Sequence, residues 1–288
     1  MSRSTNEFQE TPVAATFQWG GADGTMSYWD PQAGEKGERV NAGLPFRFML
    51  LDSLAAIRGY NSSLKSGVWS NHVKDIKNDV LLVRNSKGVI ATGTYADIKD
   101  KATSQAEGGK YCQVLYIAYR DTDGEYKIGV IEIKGSALSG GEYKDASGEK
   151  IKVPAWIDFR NQNKKAIFQE AIEIDVFPEI CSNGATKFRV PAYSIVEAMD
   201  EEKAVALKLD TELQEYLREY LAQNAKRYAS AAQGAPEDGE PTWKSIENKR
   251  AAEGARQAAK VWNQPPPQHN RAAQIVPPDD ELFDDLPF

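Results

Sequence analysis

Aromatic rings and cations recur close together along the first two-thirds of the chain. Arg58 precedes Tyr60 by two residues, and Lys65 precedes Trp69 by four. Flat rings stack on unpaired nucleic-acid bases while Lys and Arg follow the phosphates. The combination predicts a surface that holds single strands without reading their sequence, although the same rings are also typical of a β-protein core. The candidate nucleic-acid contacts are Arg58, Tyr60, Lys65, Trp69, Lys74, Arg84, Tyr95, Tyr119, Arg120, Lys127, Lys152, Trp156, Arg160 and Lys164.

The most basic part of this region is the segment 142–165, in which six Lys or Arg residues surround Trp156 and Phe159. A loop of this composition could cover a bound strand. It could equally be a solvated loop with Trp156 inserted into the core. Both interpretations remain open at the level of sequence.

A second chemistry is suggested by Glu132 and Lys134, which follow an apolar strand and lie downstream of Asp121 and Asp123. Magnesium-dependent nucleases hold their metal with carboxylates and place a lysine near the attacking water. The pattern Asp123, Glu132 and Lys134 therefore makes such a nuclease an alternative. The pattern is weak, because a Glu-x-Lys triplet at the end of a strand is common.

Composition excludes several other classes of protein. Cys112 and Cys181 lie far apart and form no Cys-x-x-Cys pair, and only His72 and His269 accompany them, so neither a zinc site nor a disulfide framework is expected. Phosphate-binding glycine loops and hydrolase motifs do not occur in the sequence, so no cofactor is expected. The N-terminus lacks an apolar signal segment and there is no long apolar run, so we expect a cytoplasmic protein without a membrane span.

Repeated strand–turn–strand patterns predict a mainly β body. The predicted strand segments are 46–60, 79–98, 110–135, 166–177 and 186–196, with turns at 85–88 and 121–124. Within 166–177 the residues Phe168, Ile172, Ile174 and Val176 alternate with polar residues and are expected to share one face. Pro191 suggests the edge or the end of a strand. Such units favour a barrel or a sandwich over a parallel sheet with crossover helices.

A helical period begins near residue 200. Leu213 and Leu217 lie at helical spacing with several tyrosines, and Asp210 is the predicted N-cap. The apolar face of this helix is expected to pack on the body or on a second copy of the chain, so a homo-oligomer is possible. The predicted organisation is a flexible N-terminus 1–15, a body 16–198, an amphipathic helix 199–230, a linker 231–278 rich in Pro, Gln and Ala, and a tip 279–288.

The tip reads DDELFDDLPF and combines acids with a terminal apolar trio. From residue 231 onward there are six Lys or Arg against ten Asp or Glu, a net of −4 out of the formal −7 for the chain. A tail that only kept the protein in solution predicts acids but does not predict a terminal Leu-Pro-Phe. Leu and Phe side chains can fill an apolar pocket of a partner while the carboxylates suit a basic rim.

The ending FDDLPF resembles the C-terminal tip of bacterial single-stranded DNA-binding proteins, which also follows a linker rich in Pro and Gln. The matching partner-binding positions are Asp284, Asp285, Leu286, Pro287 and Phe288. The body is larger than the oligonucleotide-binding (OB) domain of the bacterial proteins and is more similar in size to members encoded by bacteriophages.

This resemblance implies an OB-like β-barrel with added strands and loops, a C-terminal α-helix and a disordered acidic tail. It also implies a non-catalytic protein that binds and protects single-stranded DNA during replication, recombination and repair, and that recruits partner proteins through its tip. A strand-annealing or recombination protein is the alternative that shares these features.

Overall fold

The structure, a computed structural model, describes residues 11–31, 33–34 and 37–232. The predicted tip, almost all of the predicted linker and the first ten residues lie outside the described residues. The strands are β1 Val13–Gly20, β2 Thr25–Asp30, β3 Glu38–Asn41, β4 Phe46–Asn61, β5 Ser66–Ser70, β6 Leu81–Asn85, β7 Gly88–Gly93, β8 Gly109–Arg120, β9 Tyr126–Lys134, β10 Gly141–Lys144, β11 Lys150–Val153, β12 Ala171–Val176, β13 Cys181–Asn183, β14 Thr186–Phe188 and β15 Pro191–Val196. The helices are α1 Tyr95–Ala102, α2 Ser136–Ser139, α3 Trp156–Gln162 and α4 Asp200–Ala232, and Ala166–Phe168 forms a 3-10 turn.

Most strands belong to one large sheet, whose order is β3-β2-β1-β9-β8-β4-β5-β6-β7. β12 pairs with β4 and with β15, and a second sheet has the order β11-β10-β13-β14. The strands pair antiparallel apart from β1 and β9, which run parallel. The prediction of a mainly β body with a C-terminal helix is confirmed. The large sheet is open, with β3 and β7 at its ends, and the predicted closed OB-like barrel is not confirmed.

Two predicted hairpins form as expected. β6 and β7 are antiparallel, with Asn85 opposite Gly88 across the turn. β8 and β9 are antiparallel, and the backbone of Asp121 closes their turn through hydrogen bonds with Glu125 and Gly124. Gly88 and Gly124 both have positive φ, which the other residue types rarely adopt. The turn chemistry in the sequence was therefore sufficient to locate these hairpins.

The long strand β4 changes face at a bulge between Leu50 and Asp52. Leu50 lies in one core cluster, whereas Leu54 and Ala56 lie in a second cluster together with residues of α4. A bulge shifts the alternation of side chains by one residue. Beyond it, the even-numbered residues of β4, including Arg58, therefore point to the face on which α4 packs.

Each face of the sheet is covered by different elements. On one face Leu213 and Leu217 of α4 are buried, and each such leucine contributes about 1.5–3 kcal/mol of hydrophobic stabilisation. On the other face Trp156 of α3 packs over the first half of β4, and Ile98 of α1 packs over the second half. The sheet is thus the central layer between α4 and a group of short helices.

Several predicted boundaries are corrected by the structure. Phe168 lies in the 3-10 turn and is 52% exposed, so it does not share the buried face of Ile172 and Ile174. The predicted cap Asp210 lies inside α4, which begins ten residues earlier, and its carboxylate accepts a hydrogen bond from Gln214 at 3.1 Å.

Three further segments differ from their predictions. The strand β1 begins at Val13, within the predicted flexible N-terminus. The segment 186–196 forms two strands in two sheets, and Pro191 begins the second of them, as its missing N–H allows. The segment 142–165 is not a single loop, because it contains most of β10 and all of β11 and α3.

Candidate nucleic-acid interface

A row of aromatic and cationic side chains crosses the large sheet on the face where α4 packs. Arg58 of β4 lies opposite Lys110 of β8 and opposite Trp69 of β5, and Trp69 lies opposite Arg84 of β6. Directly opposed residues point to the same face of a sheet, as do residues two apart on one strand. Tyr60 therefore joins the row from its position beside Arg58. We call these five residues the aromatic–cation face.

The two rings of this face are held in solvent. Tyr60 is 57% exposed and Trp69 is 44% exposed, whereas Ile57 and Val68, on the opposite side of the same strands, are buried. Gly67 lies opposite Tyr60, and a Cβ atom there would approach the Trp69 ring to 3.9 Å. The absence of a side chain at Gly67 leaves open space beside Trp69 in which a base could stack.

A close backbone approach fixes the position of Tyr60. The Tyr60 amide donates to the carbonyl oxygen of Gly108 at 3.2 Å. A Cβ atom on the neighbouring Gly59 would lie 1.9 Å from that same oxygen, so only glycine fits at position 59. The end of β4, and with it the Tyr60 ring, is thereby held against the loop before β8.

The same side of the sheet carries a second exposed ring at its other end. Trp29 of β2 is 56% exposed and lies opposite Arg39 of β3. The Arg39 guanidinium donates to Ser27 Oγ at 3.0 Å and to Gln18 Oε1 at 3.3 Å. Five strand spacings of about 4.8 Å separate β2 from β5, and the register offsets the two tryptophans by about six residues along the strands, so they are about 31 Å apart on the sheet.

Lys134 lies between these two ends. It is the last residue of β9, is exposed, and lies opposite Cys112 on the side of the sheet that faces α4. Cys112 is fully buried, and burial raises the pKa of its thiol to about 12, so it is an inert core residue here. Lys134 adds a positive charge on β9, between Lys110 of β8 and strand β1.

Beneath the exposed rings, Arg58 takes part in a polar network. Its Nε donates to Glu132 Oε1 at 2.6 Å, and the side chains of the pair are only 16% and 11% exposed. The guanidinium also donates to the carbonyl oxygens of Ile57 and Ser70. Because its donors and its charge are used inside the protein, Arg58 positions neighbouring groups rather than serving as a free phosphate contact.

His72 connects this ion pair to α4. Its Nε2 accepts from Arg58, and its Nδ1 lies 2.8 Å from the Tyr116 hydroxyl. A guanidinium can only donate, so we assign the imidazole proton to Nδ1, which donates to Tyr116. The His72 amide donates to the Tyr220 hydroxyl of α4 at 2.9 Å. The network thus fixes the position of α4 on the sheet.

Apart from the Arg58–Glu132 ion pair, the side chains of this network are uncharged at neutral pH. Burial, and then the charge of Arg58, lowers the pKa of His72 to about 3. Burial raises the pKa of the Tyr116 and Tyr220 hydroxyls. The imidazole and both phenols are therefore uncharged at neutral pH and act as hydrogen-bonding groups.

Three predicted contacts are corrected, because their rings are buried. Trp156 is 0% exposed and packs edge-on against Tyr193 at 5.2 Å. Tyr119 packs edge-on against Phe17 at 4.8 Å, and Tyr95, the first residue of α1, is buried in the core between α1 and the sheet. A ring enclosed by core side chains cannot stack on a base without unfolding its surroundings. The interpretation of Trp156 as a core residue, rather than as part of a covering loop, is the one the structure supports.

Two further predicted cations are engaged in the turn between β8 and β9. Lys127 Nζ lies 2.6 Å from a carboxylate oxygen of Asp121 and 2.6 Å from one of Asp123, and these contacts raise its pKa. Arg120 donates to the Gly124 carbonyl at 3.0 Å. Both side chains stabilise their own turn, so neither strengthens the aromatic–cation face.

The remaining predicted cations lie at different places. Lys65 is exposed at the tip of the β4–β5 hairpin, and Lys74 is exposed in the loop after β5. Lys152 is on the separate four-stranded sheet, whereas Arg160 and Lys164 are on or just after α3, which covers the other side of the large sheet. The structure brings Lys65 near the aromatic–cation face through its hairpin and does not bring the α3 cations there.

The residues of the nuclease alternative are not assembled. The Glu132 carboxylate is bound by Arg58, and the Asp123 carboxylate is bound by Lys127. Glu132 and Lys127 are five residues apart on β9, about 16 Å at strand spacing. Within the part of the chain that the structure describes, no cluster of three metal-ligating side chains is present.

The candidate contacts predicted from the sequence do not include Trp29, Arg39 and Lys110, which the structure places on the same side of the sheet as Trp69. The signal for Lys110 is its register opposite Arg58, which depends on pairing between strands far apart in sequence. Trp29 follows Ser27 by two residues on β2 and therefore points to the same side of the sheet as this polar residue. This alternation, on a short strand that pairs with the strand of Arg39, was the signal that an exposed ring was present.

Protein-family models, curated proteins and solved structures were compared with this chain, and none matches it. Among the residues that the structure describes, no helix combines the length and the apolar character needed to cross a membrane. The case for a function therefore depends on the chemistry of the surface described above and on the terminal sequence.

Proposed function

We propose that the chain binds single-stranded DNA without strong sequence preference and protects it during replication, recombination and repair. The observation that carries the proposal is the pair of exposed rings, Tyr60 and Trp69, set among Arg84 and Lys110 on the part of the α4 side of the sheet where side chains remain exposed. Stacking is worth about 1–3 kcal/mol per base and tolerates every base, since each has a π-face. An exposed strip of sheet serves this purpose whether or not a barrel closes.

The size of the surface sets an expected footprint. A stacked strand advances about 3.4 Å per nucleotide, so the roughly 31 Å between Trp29 and Trp69 corresponds to about nine nucleotides. With Arg39, Lys65 and Lys134 each neutralising one phosphate, the slope of log K against log salt is about −2, from about −0.7 per contact. Duplex DNA hides its bases in the stack, so we expect weaker binding to it.

Partner recruitment is assigned by this proposal to the tip. Its support is the terminal order of acids followed by Leu286, Pro287 and Phe288, a combination that suits an apolar pocket with a basic rim. The proposal places the protein in the cytoplasm, where replication and recombination proteins would be its partners.

The direct test replaces one ring. Trp69→Ala should weaken the affinity for oligo(dT) by about 5- to 150-fold, the equivalent of one lost stacking contact. The matched control is Phe168→Ala, because Phe168 is similarly exposed but lies beside β12, at the opposite end of β4. Both variants should keep the wild-type circular dichroism spectrum. Equal affinity of wild type and Trp69→Ala would refute the assignment of this face.

A further inference from the structure

A pocket of about 280 Å³ opens between α4 and the large sheet, next to the aromatic–cation face. Its volume is just below the roughly 300–1,000 Å³ of sites for drug-sized ligands, so it suits a single heterocycle. Its lining includes Arg58, Tyr116, Glu132, Tyr216 and Tyr220.

The pocket walls favour a flat ligand. Tyr216 and Tyr220, one turn apart on α4, lie nearly parallel, with ring centroids 6.0 Å apart and an interplanar angle of 20°. Val13 and Val130 supply apolar surface from β1 and β9. Aromatic and aliphatic walls of this kind hold a base that has been turned out of its strand.

Two polar groups of the pocket, the Glu132 carboxylate and the Tyr116 hydroxyl, can still form hydrogen bonds with a ligand. Glu132 Oε1 accepts from Arg58, while Glu132 Oε2 receives no hydrogen bond from the residues that the structure describes. Because Tyr116 accepts the proton of His72 Nδ1, its own O–H remains a donor. The pocket thus offers a carboxylate acceptor and a phenol donor near the same wall.

We propose that this pocket binds one guanine base, with N1–H and N2–H₂ donating to Glu132 and O6 accepting from Tyr116. Guanine is the only one of the four bases with two adjacent donors on its Watson–Crick edge. Adenine and cytosine each place an acceptor beside their amino group, and thymine has a single donor between two carbonyls, so a carboxylate repels part of each edge.

This inference rests on the proposed function for the origin of the base. Arg58 belongs both to the aromatic–cation face and to the pocket wall, so a strand bound across Trp69 passes the pocket. A single strand has no pairing to lose, which makes turning out a base inexpensive. The surface then binds any strand and the pocket adds a preference for a guanine within it. A free guanine nucleotide carries the same chemistry.

The experiment uses the full chain and competition by oligo(dT) that contains one central G, I, A, C or T. Inosine lacks the N2 amino group. We expect the G oligomer to bind about 5- to 150-fold more tightly than the all-T oligomer, with inosine intermediate. In Glu132→Gln, whose amide can still accept from Arg58 but replaces Oε2 with a donor, the ratio of G to T affinity should fall to about one.

A second arm titrates the wild-type chain with dGMP, dIMP and dTMP by calorimetry, and it needs no variant to fold. Tighter binding of dGMP than of dTMP supports the pocket, including a role for free nucleotides. Equal affinities in both arms overturn it. If oligo(dT) did not bind, only the proposed function would be refuted. The titration with dGMP, dIMP and dTMP would still test the guanine site.

Discussion

Lowering the pH from 7 to 5 should destabilise the protein through His72. The imidazole faces Arg58, the phenol groups of Tyr116 and Tyr220, and, through Arg58, the carboxylate of Glu132. Its native pKa is about 3 against 6.5 in the unfolded chain. The unfolded state therefore takes up a proton that the native state refuses. The resulting stability is fully present above about pH 6.5 and is lost as the pH falls toward 3.

The magnitude follows from the linkage relation. At pH 5 the unfolded imidazole is 1.5 pH units below its pKa while the native one is still neutral, so the loss is about 1.36 × 1.5, or about 2 kcal/mol. The value changes little for any native pKa below 4. Carboxylates with lowered native pKa, such as Glu202 beside Arg47, lose their contribution only as the pH falls below about 4.5.

The assay is urea unfolding at pH 7 and pH 5, followed by far-ultraviolet circular dichroism. The control is His72→Gln, whose amide oxygen can accept from Arg58 but does not titrate, and which retains the other histidine, His269. We expect the wild type to lose about 2 kcal/mol more than the variant between the two pH values. An equal loss in both proteins would refute the buried, neutral His72.

Two further predictions concern the core and the tail. Trp156→Ala should lower the free energy of unfolding by about 3–5 kcal/mol, because it empties a fully buried site, and the folded variant should keep its affinity for oligo(dT). Chemical unfolding measures the first effect and fluorescence titration measures the second. A stable variant that has lost its affinity would contradict the assignment of Trp156 to the core. Deletion of residues 279–288 should leave DNA affinity unchanged or increase it and should abolish binding to replication partners in pull-down assays; lost DNA affinity would show that the tail assignment is wrong.

The sequence was sufficient for features that depend on neighbouring residues. The turns at 85–88 and 121–124 and the long helix follow from local chemistry and period, and the structure has all three. Tyr60 and Trp69 were predicted as contacts from their neighbouring cations, and both are exposed on one face.

Features that depend on strand pairing could not be read in advance. Trp156 and Trp69 both have lysines nearby in the sequence. The Trp156 ring is nevertheless 0% exposed, whereas the Trp69 ring is 44% exposed. The difference arises because α3 turns Trp156 onto the sheet, a tertiary contact without a local signal. The bulge in β4 likewise decides that Arg58 faces α4 and Glu132, and a bulge shifts every later side chain to the other face.

The central claim is tested most directly by the affinity of the chain lacking residues 279–288 for oligo(dT) and for a duplex of equal length, at several salt concentrations. The account predicts tight binding to the single strand that quenches tryptophan fluorescence, weaker binding to the duplex, and a log–log salt slope of about −2. A truncated chain that does not bind single strands, or that binds the duplex equally well, would contradict the proposed function.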